Sequence, residues 1–163
     1  MKRSLSLILI VSFLWTPQAA AAVRGKSARY VGGTIPIFKE AVDGTWDMSE
    51  KAVVFTAVKN GGTVSIPYDK IETLEYGQKV GRRLGAATAG AIIVSPVFLL
   101  FLFSKKRKHF LSISYLDEEG KKQGGVFELA KGIVKQSLTS LETKSGKKVE
   151  YESDEARKTA EKM

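Results

Sequence analysis

The feature that most restricts this chain is a run of 20 uncharged residues, Leu84 to Phe103, in the middle of a strand-rich sequence. As a helix rising about 1.5 Å per residue, the run just reaches across a hydrocarbon layer about 30 Å thick. Its two halves differ. Gly85 to Ala91 contains only Gly, Ala and Thr, small enough for another helix to approach closely. Leu84, Ile92, Ile93, Val94, Phe98, Leu99, Leu100, Phe101, Leu102 and Phe103 supply the bulk, with Ser95-Pro96 between the two bulky stretches. Pro96 removes a backbone donor and favours a kink or turn there.

The flanks sharpen the reading. Lys79, Arg82 and Arg83 precede the run, and Lys105, Lys106, Arg107 and Lys108 follow it. A simple spanning helix carries its cations mainly on one side of a membrane. Cations at both ends fit a re-entrant hairpin bent near Pro96, which lays both clusters on one anionic surface. A full span is the alternative, with the halves of the chain on opposite sides and Gly85, Ala89 and Gly90 packed on a partner helix. A buried core helix fits poorly beside four consecutive cations.

The N-terminus reads as an export signal. Lys2 and Arg3 precede an apolar run, Leu5 to Trp15, that is too short to span a bilayer; Pro17 and then Ala19 to Ala22 follow. Removal of residues 1–22 leaves 24 basic and 17 acidic residues, a net charge of +7 that favours anionic surfaces. The expected organisation is a signal over 1–22, one domain over 23–152 interrupted by the insert 84–103, and a charged tail over 153–163, either a frayed helix or disordered.

The rest alternates like short strands. Candidates are Ala28 to Ile35, Gly44 to Met48, Lys51 to Val58, Thr63 to Ile66, Ile71 to Tyr76, Phe110 to Leu116 and Gln123 to Leu129. Asn60-Gly61 marks a hairpin, and Asp117-Glu118-Glu119-Gly120 a turn. On Phe110 to Leu116, one side carries Leu111, Ile113 and Tyr115, and the other Ser112 and Ser114. The period then changes: Ile133, Val134, Leu138 and Leu141 follow helical spacing over Lys131 to Lys144, with Gly146 placed for a left-handed stop. Val149 to Glu152 adds an edge strand. The order implies a mainly β fold, a small barrel or sandwich of about seven strands capped by a C-terminal helix.

Chemistry is sparse. The chain has no Cys, which excludes disulfides and thiolate metal sites, and His109 is its one histidine, which excludes a His-rich metal centre. The three adjacent carboxylates Asp117 to Glu119 do not converge on a cation and read as a solvated turn. Gly77 to Gly85 lacks the Gly-Lys-Ser/Thr ending of a phosphate loop. Trp46, Tyr68 and Tyr76 read as core residues, and His109 as a polar residue at a strand start. No nucleophile with a base, no paired carboxylates and no metal spacing points to an enzyme, and no cofactor is expected. Nucleic acid is a poor partner, because the cations sit beside an apolar run.

Gly44-Thr45-Trp46-Asp47, Ile66-Pro67-Tyr68-Asp69-Lys70-Ile71, Lys108 to Tyr115 and the helix ending Leu141 to Gly146 resemble GRAM and bacterial pleckstrin-homology-like (PH-like) domains over about Tyr30 to Tyr151. The resemblance implies a non-enzymatic module that binds a lipid surface or a protein. It departs from that family in its export signal and its apolar insert. The expectation is an exported protein on the periplasmic side of a bacterial inner membrane. Its insert would be anchored, with Lys79, Arg82, Arg83 and Lys105 to Lys108 at the head-group layer.

Overall fold

A computed structural model describes residues 25–59, 61–78 and 108–163. The signal, Asn60, the apolar insert 84–103 and all of the flanking cations except Lys108 lie outside the described residues.

Eight strands form one curled sheet, a half-barrel. They are β1 (Lys26–Gly33), β2 (Val42–Met48), β3 (Ala52–Ala57), β4 (Thr63–Pro67), β5 (Ile71–Gly77), β6 (Phe110–Leu116), β7 (Lys122–Leu129) and β8 (Val149–Tyr151). Their order across the sheet is β4-β3-β2-β1-β7-β6-β5-β8. All neighbours are antiparallel except β5 and β8, which run parallel. Two meanders, β1 to β4 and β5 to β7, are thus joined through β1 and β7. Strands on both sides of the insert share one sheet and one core.

The expected strands all form, with ends shifted by one or two residues, and β8 adds the eighth. The expected hairpin joins β3 and β4: Gly61 takes φ 66° and its amide donates to the Ala57 carbonyl at 3.1 Å. Register shifts in β1 between Tyr30 and Gly32, and in β5 between Ile71 and Thr73, add the local twist that curls the sheet. At the end of β1, Gly33 has φ 148°, and a Cβ there would sit 2.1 Å from the Gly124 carbonyl oxygen. Only glycine lets the two strands approach this closely.

The concave face holds the core. Alternation along each strand turns Tyr30, Trp46, Phe55 and Phe127 inward, where they meet Phe38. Ring centroids lie 5.1 Å apart for Trp46–Phe127, 5.4 Å for Phe55–Phe127 and 5.5 Å for Phe38–Phe55, in tilted or edge-on contacts. Leu74, Tyr76, Leu111 and Ile113 continue the core toward β8.

Helix α1 (Val134–Ser145), preceded by a 3-10 turn at Lys131–Ile133, caps this face with Val134, Leu138 and Leu141. It stops at Gly146, whose φ of 69° suits glycine and whose amide donates to the Glu142 carbonyl at 3.0 Å. Its far end is tied down. Lys144 Nζ lies 5.1 Å from the Tyr68 ring centroid and donates to the Ser49 carbonyl at 2.6 Å. Burial pushes the Tyr68 phenol up to about 12.

The tail is more ordered than its charge suggests. Ser153 caps α2 (Asp154–Glu161) by accepting from the Ala156 amide at 3.2 Å, and Asp154 and Glu155 sit at its positive end. Ala156 and Ala160, spaced by one helical turn, are buried in the core.

Candidate functional site: the root of the insert

The chain leaves the sheet at Gln78 and returns at Lys108. These ends are neighbours: the Lys108 amide donates to the Gln78 carbonyl at 3.4 Å, just beyond the last β5–β6 pair, Gly77 and Phe110. The root is clamped from β8. Glu152 accepts from the Gln78 amide through Oε2 at 3.1 Å, and the Glu152 amide donates to the Tyr76 carbonyl at 2.9 Å. On the other side the Leu129 amide donates to the His109 carbonyl at 2.8 Å.

His109 is fixed within this frame. Its Nδ1 lies 2.7 Å from the Tyr76 hydroxyl, with the ring planes only 9° apart and the centroids 6.3 Å apart. That is the geometry of an in-line hydrogen bond between two rings rather than a face-on stack. Burial lowers the imidazole pKa, the positive charge of Lys131 lowers it further, and Glu128 partly opposes both. The Tyr76 phenol is raised, by burial first and then by Tyr151. The pair is therefore a neutral imidazole and a neutral phenol at neutral pH.

Of the cations expected at a head-group layer, Lys108 is the one within the described residues. Its ammonium pairs with Glu128 at 2.9 Å, with both side chains about one quarter exposed. The cleft beside it, about 180 Å³, has a second pair on its rim, Arg29 and Asp43 at 3.5 Å. Lys79, Arg82, Arg83, Lys105, Lys106 and Arg107, and the apolar residues from Leu84 to Phe103, lie outside the described residues. Sequence reading missed Gln78, Glu152 and Tyr151 as root residues, because only the parallel β5–β8 pairing brings them together.

Other sequence candidates are structural. Asp117 uses both carboxylate oxygens in its turn, accepting from the Lys121 amide at 2.8 Å and from Gln123 Nε2 at 2.9 Å. Those bonds, the Gln123 bond first, hold its pKa below the usual carboxylate value. Trp46, Tyr68 and Tyr76 are all buried in the core. No group of three metal-ligating side chains occurs among the described residues, and no helix among them is long and apolar enough to cross a membrane. A cleft of about 410 Å³ lies along residues 30–40. Tyr30 borders it with a buried hydroxyl. The Ile35 backbone is near enough to lower that phenol's pKa, against a larger rise from burial, but not in hydrogen-bond geometry.

No family model and no curated protein matches the chain. Among solved structures it is similar to the Spt16D Pob3N heterodimer, at 8% identity and a TM-score of 0.40, over 77% of this chain and 53% of that one. The chain thus spans about half the length of that match. It is also similar to the C-terminal domain of an unknown protein from Leishmania infantum, at 11% identity and a TM-score of 0.38, over 80% of this chain and 91% of that one.

Proposed function

We propose that this chain is a non-enzymatic, GRAM-like or bacterial PH-like module of a cell envelope, held at an anionic membrane surface by its apolar insert. The observation that carries the reading is the root. Gln78 and Lys108 are adjacent at one end of one sheet, so the 29 residues between them start and finish at the same place. Two full crossings need about 40 residues, which this excursion does not have. Two arms of about ten residues each reach about 15 Å if helical, roughly half of a hydrocarbon core. A re-entrant anchor in one leaflet, bent near Pro96, fits that length. Lys79, Arg82, Arg83 and Lys105 to Arg107 then lie at the head groups, each contributing about 1 kcal/mol at low salt.

The alternative, a single span with the two halves on opposite sides, would divide the sheet between β5 and β6. Labelling tests the two. Lys59→Cys and Glu119→Cys each place a thiol at an exposed hairpin tip in a chain that has none. In cells with a permeabilised outer envelope, a membrane-impermeant maleimide should label both or neither; labelling of one alone overturns the re-entrant reading. Sedimentation with anionic vesicles tests the membrane itself. Retention in high salt with release by detergent is the expected result, and failure to sediment at low salt sinks the reading.

A further inference from the structure

The end of the chain is fastened to the sheet by few contacts. Helix α1 stops at Gly146 with its left-handed φ of 69°, and Gly146, Lys147 and Lys148 are all exposed. Strand β8 follows, three residues long, paired in parallel with β5 at the edge of the sheet. Its first amide, that of Val149, donates to Glu142 Oε1 of α1 at 2.8 Å. Of the eight residues of α2 only Ala156 and Ala160 are buried, and their methyl groups bury little apolar surface. The packing of α2 on α1 is open: a cleft of about 230 Å³ runs between Lys135 and Glu142 on one side and Arg157 and Glu161 on the other. The contact across it is polar and exposed, with Lys135 Nζ donating to the Glu161 carbonyl at 2.9 Å.

The same short segment carries the clamp on the root. Glu152 accepts from the Gln78 amide at 3.1 Å and its own amide donates to the Tyr76 carbonyl at 2.9 Å. Tyr151 meets the Tyr76 ring edge-on with centroids 5.9 Å apart, and the Tyr76 hydroxyl lies 2.7 Å from His109 Nδ1. A segment with an exposed hinge and little buried apolar surface opens at a lower free energy than the core. We infer that residues 147–163 form a releasable strap, hinged at Gly146 to Lys148, whose docking through α2 fastens the root of the insert at Gln78 and Tyr76. Two states follow. In the docked state β8 covers the edge of β5, and Glu152 and Tyr151 hold the root. In the lifted state β5 is the edge of the sheet, and Gln78 and Tyr76 lose those contacts together. Any partner that prefers one state of the strap therefore acts on the two chain ends at Gln78 and Lys108. The inference goes beyond membrane anchoring and does not depend on it, because strap and root meet whatever the insert touches.

The test is amide hydrogen exchange in the full chain, followed residue by residue by NMR without lipid. Corrected for intrinsic rates, the amides of Gln78, Glu152 and Ala160 should exchange together, about tenfold or more faster than those of Trp46 and Phe127. One rate for all of them means that the tail opens only with the whole fold, which overturns the inference. Rates at Gln78 and Ala160 that differ by more than about threefold mean that docking of α2 does not fasten the root, which overturns it too. Ala160→Glu then places a charge in the docking contact without touching the root. It should speed Gln78 and Glu152 by a further tenfold or about that, and leave Trp46 and Phe127 within about twofold. An unchanged Gln78, or all amides faster together, overturns the strap. Where that variant does not fold, the opposite perturbation decides. Lys135→Cys and Glu161→Cys, in a chain with no thiol of its own, joined by a short bis-maleimide, should slow Gln78 about tenfold. An unchanged Gln78 rate in the cross-linked protein overturns the inference, whereas vesicle sedimentation of the unmodified chain reads the anchor separately.

Discussion

Strands β6 and β7 bury both of their faces, and the two faces are built differently. The concave side is made of large rings and branched chains: Leu111, Ile113, Tyr115 and Phe127. The convex side carries Ser112, Ser114, Gly124 and Val126 beside a single large ring, Phe110. The concave side is held by packing among residues whose partners are spread over the whole sheet. The convex side is held by a few short contacts, such as Thr73 with Ser114 at 2.6 Å between their hydroxyls. A face of the first kind gives stability.

The largest effect expected from this contrast is on the concave side. Phe127 touches Tyr30, Trp46 and Phe55 through its ring. Phe127→Ala should cost about 4 kcal/mol, read as a lower urea midpoint with unchanged slope. A cost below about 1 kcal/mol would show that the aromatic cluster is not the centre of the core.

The neighbouring residue reads the other face. Val126→Ala should cost roughly 2 kcal/mol in the full chain, from lost burial and a small cavity. A cost under about 0.5 kcal/mol would mean that Val126 behaves as a surface residue, and the convex side would then not be a second buried face. Ser114→Ala is milder. It removes one hydroxyl partner of the partly exposed Thr73 and should cost about 1 kcal/mol by the same assay, tying the β5 side of the convex face to polar contacts and the β1 side to apolar ones.

The two faces also explain what the sequence could disclose. The concave face was legible, because apolar residues recur at every second position through β2, β3, β6 and β7 and then at helical spacing through α1. The caps were legible at Gly146 and Gly61. The convex face was not. Ser112 and Ser114 alternate with Leu111 and Ile113 as in a strand with one wet side. Small polar residues in a dry, hydrogen-bonded face give the same pattern. The root was half legible: the flanking cations announce where the insert begins and ends. The clamp from Glu152 arises from a parallel pairing between strands separated by more than 70 residues, and no local pattern reports it. Docking of α2 was hidden in the same way, since Ala156 and Ala160 are two small residues in a highly charged tail.

The smallest expected effect lies at the root of the insert, at His109. Its pKa is lower in the folded protein than in the unfolded chain, chiefly because the ring is buried. The folded state therefore binds fewer protons than the unfolded state between those two values, and stability rises with pH across that window. Above the unfolded value, about 6.5, both states hold a neutral ring and the contribution is flat. As pH falls below it, the unfolded chain takes up the proton first and stability declines until the folded pKa is passed. Asp117 acts in a separate, more acidic window: its folded pKa is lowered, so its contribution is present above the unfolded value and is lost on acidification. Thermal unfolding from about pH 7.5 to about pH 5.5 should show the His109 slope, and His109→Gln should flatten it while leaving the acid-range loss in place. A slope unchanged in that variant would remove His109 as its source and leave the 2.7 Å contact with Tyr76 a purely structural tie at the base of the insert.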